Sequence, residues 1–83
     1  MKQINILILG AGGDIGQSIF KILNEIDWIK NIVGTDININ SASSLIFDQY
    51  YQVPKCIHED YSSVISKIII DEKITLILPV SEP

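Results

Sequence analysis

The chain has 83 residues, 47% of them hydrophobic, and carries a net charge of −4 from six lysines and ten acids, with no arginine. At that length it makes at most one small domain, and its acidity argues against a nucleic-acid partner, because phosphate backbones are held by basic faces. Cys56 is the only cysteine, so the chain has no internal disulfide and cannot build a thiolate zinc site. The apolar run after Lys2 is too short for a signal peptide and no segment is long enough to span a bilayer, so a cytoplasmic protein with no membrane contact is expected.

Taken in order, Ile4, Ile6, Leu7, Ile8 and Leu9 form a short apolar run rich in β-branched residues. A strand buried on both faces of a parallel sheet reads this way. It runs into the cluster Gly10, Gly12, Gly13 and Gly16. A helical period follows, with Ile15, Ile19, Ile22, Leu23 and Ile26 expected on the buried face. Strand, glycine turn and helix open a Rossmann-type unit, whose loop and exposed helix-start amides face a ligand. Gly13 is expected to hold a left-handed or crowded backbone, and Gly16 to let the helix pack closely.

Trp28 is expected to cap the edge of the core. Ile32–Asp36 reads as the second strand, and Asp36 lies 20 residues beyond Gly16. An acid at that spacing accepts hydrogen bonds from an adenosine ribose in dinucleotide folds. It equally suits a cap for the turn that follows, Asp-Ile-Asn-Ile-Asn-Ser. A short helix from Asn40 or Ser41 through Phe47 would bury Ala42, Leu45 and Ile46. Tyr50–Val53 reads as the third strand, ended by Pro54. Lys55–Asp60 is a polar loop in which Cys56 and His58 lack the partners that metal binding or nucleophilic catalysis requires. Tyr61, Val64, Ile65, Ile68 and Ile69 mark a second amphipathic helix, capped by Asp60 and closed by Lys73. Ile74–Leu78 is the fourth strand, stopped by Pro79.

Right-handed crossovers arrange these strands as an α/β Rossmann-like open parallel sheet in the order 3-2-1-4, with helices on both faces. The winding reverses between strands one and four, where open α/β sheets bind ligands. Gly10 to Ile15 and Pro79 to Glu82 meet there, flanked by Asp36. Glycines 10, 13 and 16 fit the G-x-x-G-x-x-G spacing of short-chain dehydrogenase-like and related nucleotide folds. Asp14, at the start of the helix, opposes an incoming pyrophosphate. Lys55 stands four residues after Tyr51, but a strand ended by Pro54 does not set the two side chains on one helix face, as a reductase's Tyr-x-x-x-Lys pair requires. The apolar fourth strand at a sheet edge points to a possible homodimer.

The segments ILILGAGGDIGQS, IVGTDIN, DQYYQVP and ITLILPVSEP, in this order and spacing, resemble the N-terminal (pre-ATP-grasp) domain of ATP-grasp ligases. The likeness is nearest to the carbamoyl-phosphate-synthase-like group and its carbon–nitrogen ligase relatives, and it covers essentially the whole chain. It implies a domain that is not catalytic by itself and that lines the pocket of a small-molecule acceptor. The same resemblance gives Gly10, Ala11, Gly12, Gly13, Asp36, Ser81 and Glu82 as substrate-side contacts, with Asp14 and Ile15 added by their place in the turn. ATP and Mg²⁺ would be bound by grasp domains that follow, so no cofactor is expected on this chain, which is expected to be truncated from a longer protein. The alternative is an NAD(P)-binding fragment of a short-chain dehydrogenase or epimerase-like protein, with NAD as its cofactor. A stand-alone regulatory module is a third class.

Overall fold

The computed structural model describes residues 3–37, 45–55 and 57–80. Six elements follow one another: β1 (Ile4–Leu9), α1 (Asp14–Leu23), β2 (Ile29–Asp36), β3 (Gln49–Gln52), α2 (Tyr61–Asp71) and β4 (Leu76–Pro79). The strands form one four-stranded sheet in the order β3-β2-β1-β4, every pair parallel. The sheet is thus the expected α/β Rossmann-like one. Strand β2 starts three residues earlier than the sequence suggests, because Ile29 already pairs with Ile4. Strand β4 extends through Pro79, which stands opposite Leu9.

Alternation along the strands divides the core in two. Leu7, Leu9 and Val33 point to one face and meet Ile65 and Ile68 of α2, together with Val53 and Ile74. Ile6, Ile8 and Ile32 point to the other and meet Phe20 of α1, together with Ala11 and Phe47. Because β1 is covered on both sides, Ile6, Leu7 and Ile8 are almost wholly buried, which is what a continuous apolar run in a central parallel strand requires. Among the described residues the one buried polar side chain, Thr35, is satisfied by donating to the Ile8 carbonyl at 3.3 Å.

Helix α2 presents the face expected of it, with Ile65 and Ile68 buried and Tyr61, Val64 and Ile69 packed alongside. Helix α1 is rotated from its expected face. Gly16 and Phe20 are buried, Ile19 and Leu23 pack beside them, and Ile15 and Ile22 are 67% and 68% exposed. The apolar stripe of α1 is wider than the sheet can cover, and the close approach at Gly16 decides which part of it goes inward. Trp28 is 41% exposed and does not cap the core; its backbone carbonyl accepts from Ile4 at 3.0 Å. The expected helix before β3 lies mostly outside the described residues. Within them Leu45 is 89% exposed, not buried, and Phe47 fills the site against Phe20, the ring centroids 4.9 Å apart.

The amino end of β1 secures the end of α2. Asn5 Nδ2 donates to the carbonyls of Glu72 and Lys73 at 3.0 and 3.3 Å, and Thr75 N donates to the Asn5 carbonyl at 3.0 Å. Lys73 closes the helix in the left-handed region, at φ 54°. Ile74 N donates to the Ile69 carbonyl and Lys73 N to that of Ile70, the pair of bonds that defines a Schellman ending. At the other end Asp60 occupies the cap position, but its carboxylate makes no capping bond. Its backbone carbonyl instead accepts from Val64 N and Ser63 Oγ.

Edge strand β3 is tied to α2 by a hydrogen bond from the Tyr51 hydroxyl to Glu72 Oε2. That bond, with partial burial and the negative charges of Glu72 and Asp71, pushes the Tyr51 pKa up from 10.0 to about 12. A raised folded-state value means the bond's contribution is complete below pH 10 and is lost as pH climbs through 12. Tyr51→Phe is therefore expected to cost about 1 kcal/mol near neutral pH. In denaturant titrations the gap between wild type and variant should shrink across the alkaline range. A gap that stays constant there would show that the hydroxyl is not held by the carboxylate.

Candidate functional site

The site begins with the way β1 ends. Gly10 turns the chain at φ 72°, a conformation that a side chain disfavours. Ala11, fully buried, returns to the sheet and donates its amide to the Thr35 carbonyl at 2.8 Å. The amide of Gly12 then donates to Asp36 Oδ2, also at 2.8 Å. The loop after β1 is thus joined twice to the end of β2 before α1 starts.

On the other side β4 contributes through its regular ladder. Pro79 stands opposite Leu9, and the next residue, Val80, donates its N–H to the Leu9 carbonyl at 3.0 Å, which places Val80 at the mouth of the glycine turn. The result is an open cleft of about 210 Å³ lined by Gly10, Gly13, Asp14, Ile15, Gly16, Asp36 and Val80. It lies between the carboxyl ends of β1 and β4, where the winding of the sheet reverses, as the topology demands.

Most of the residues singled out in the sequence come together here. Gly10, Gly13, Asp14, Ile15 and Asp36 line the cleft, while Ala11 and Gly12 lie behind it as structural parts of the turn. Ser81 and Glu82 lie outside the described residues, as does Cys56. Gly16 lines the cleft although the sequence did not single it out as a contact, and Val80 belongs to the Pro79 to Glu82 stretch expected at this point. The turn expected to be capped by Asp36 lies mostly outside the described residues; within them its Oδ2 accepts the Gly12 amide from the neighbouring strand's loop.

The glycines also exchange roles. Gly13 is extended, at φ −98° and ψ −175°, and a Cβ there would have nothing within 4 Å. The crowded position is Gly16, where a Cβ would run into the backbone of Ala11: its carbonyl oxygen, its carbonyl carbon at 2.7 Å and its Cα at 2.8 Å. A Cβ at Gly12 would strike the Asp36 carboxyl group, whose carbon is 2.7 Å away.

Chemically the cleft offers two kinds of group. The cap position of helix α1 is Gly13, which has no side chain with which to cap the amides of the first turn. Beside them stand the carboxylates of Asp14 and Asp36, and the apolar Ile15 and Val80. Among the described residues no group of three or more histidines, cysteines and acids is placed to hold a metal ion. No helix among them is long and apolar enough to cross a membrane.

Substitutions separate the two glycines. Gly16→Ala is expected to lower unfolding stability by about 3 kcal/mol, because backbone and not a movable side chain stands in the way. Gly13→Ser, which suits an extended helix-cap position, is expected to stay within about 0.5 kcal/mol of wild type. Chemical denaturation of the two variants measures both. The reverse order would mean that the turn is built differently.

Comparison with known proteins agrees with this geometry. No curated protein matches the chain. A family model described as the PylC-like, N-terminal domain matches residues 6–83, from within β1 to the last residue. PylC is an ATP-grasp ligase. The chain belongs to the PylC-like N-terminal domain family, and is the N-terminal, pre-ATP-grasp domain of an ATP-grasp ligase.

Proposed function

We propose that this domain forms the acceptor-side wall of a carbon–nitrogen ligase active site, of the carbamoyl-phosphate-synthase-like kind, and is not catalytic by itself. The family match over residues 6–83 carries the reading. The cleft supports it. A carbon–nitrogen ligase joins an activated carboxyl group to an amine, and an amine approaches as an ammonium ion before it loses its proton. Asp14 and Asp36 give the cleft the charge that attracts such a group, and Ile15 and Val80 give it an apolar side for the carbon skeleton. ATP and Mg²⁺ belong, in this reading, to grasp domains of the full protein. They would supply the phosphoryl group that activates the carboxylate, while this chain's residues bind and orient the acceptor.

The dinucleotide alternative takes its support from Gly10, Gly13 and Gly16 and from the acid that ends β2. Among the described residues that line the cleft, however, no cation stands beside its two carboxylates to receive a pyrophosphate. Calorimetric titration decides between the two. Neither NAD nor Mg·ATP is expected to bind this chain with micromolar affinity. Micromolar NAD would overturn the proposal in favour of the dinucleotide reading, and micromolar Mg·ATP would contradict the assignment of nucleotide to the grasp domains. The coding sequence downstream of Pro83 offers a second test. It is expected to continue into a lysine-bearing, ATP-binding region, and a continuation without one would count against the ligase.

A further inference from the structure

The two carboxylates in the cleft are not equivalent. Asp14 is exposed at the start of α1, where water and salt screen its charge. Asp36 is only partly exposed, and its Oδ2 is anchored by the Gly12 amide at 2.8 Å. An anchored carboxylate cannot swing away from an approaching ligand, and a charge with less water around it acts more strongly at a given distance. Position 12 is shaped to this contact, since any Cβ there would meet the Asp36 carboxyl group. Gly12 and Asp36 are a matched pair, the glycine leaving the room that the carboxylate fills.

We propose that Asp36 is the specificity-determining residue of the cleft: its anchored carboxylate takes a loop amide for itself and turns away polyanionic ligands of the pyrophosphate class. The outcome is the opposite of a dinucleotide site, where an acid at this place accepts ribose hydroxyls while the loop receives the pyrophosphate. With Asp36 in place the cleft favours a ligand that is neutral or cationic overall. What the cleft refuses does not depend on which acceptor it takes, so this property stands apart from the ligase reading.

Inorganic pyrophosphate is the probe, titrated into ¹⁵N-labelled protein while the amide shifts of residues 10–16 and 80 are followed. Wild type is compared with Asp36→Asn, Asp14→Asn and the remote Asp27→Asn, which controls for net charge. Asparagine keeps an oxygen for the Gly12 amide, so the anchor is retained while the charge is removed. The association constant is expected to rise roughly tenfold in Asp36→Asn and by less in Asp14→Asn, and to stay near the wild-type value in Asp27→Asn. If Asp36→Asn loses the dispersed resonances of a folded chain, Asp36→Ser, neutral and still an acceptor, takes its place with the same expectation. Tight pyrophosphate binding by wild type would overturn the proposal. So would a folded Asp36→Asn or Asp36→Ser that binds no better than wild type, or an Asp14→Asn effect that equals or exceeds it.

Discussion

Two stretches of backbone touch where β1 hands over to α1, and the site follows from that contact. Gly16 lies against the backbone of Ala11 so closely that even a methyl group would not fit. The approach fixes where α1 starts and which of its sides faces the sheet. Ala11 is held in turn by its amide bond to Thr35, so α1 is referred through one buried alanine to the frame of β2. Gly12 adds a second link to the same strand through Asp36, and Val80 adds one from β4 to Leu9. The cleft is therefore shaped by the sheet itself. The bonds that hold its loop lower the conformational entropy that binding would otherwise cost.

The same contact explains what could and could not be read in the sequence. The apolar run of β1 leaves little freedom, because a strand with no polar face must be central and covered on both sides. From that strand, right-handed crossovers and the order of elements lead to the observed 3-2-1-4 sheet. The face of α2 was legible because Tyr61, Val64, Ile65, Ile68 and Ile69 fall on one side of it, with Ile70 left exposed. Helix α1 was not, since its apolar stripe is wider than the part that meets the sheet and counting isoleucines points to Ile15 and Ile22, which lie exposed. The usable signal was Gly16: steps of three and four residues from it give Ile19, Phe20 and Leu23, the side that meets the sheet.

The functional residues show a similar division. Spacing singled out Asp36, yet spacing cannot say which partner a carboxylate finds, and the partner here is an amide brought near by the β1–β2 pairing. The glycine pattern marked the turn without ranking its members. Gly10, Gly12 and Gly16 each answer a specific demand of conformation or space, and Gly13 answers none. Val80 lies within the Pro79 to Glu82 stretch that the topology brings to the switch point, and the β1–β4 register fixes it there through its amide on the Leu9 carbonyl.

The central claim is that the glycine loop is held from within, by the carboxylate of Asp36 on the Gly12 amide. Amide hydrogen exchange at Gly12 tests it most directly. In wild type the Gly12 amide should exchange slowly, in company with that of Ala11. In Asp36→Ala it should exchange much faster, while Leu7 and Ile8 in the centre of β1 keep their protection. Rapid exchange at Gly12 in wild type, or protection that survives Asp36→Ala, would contradict the account.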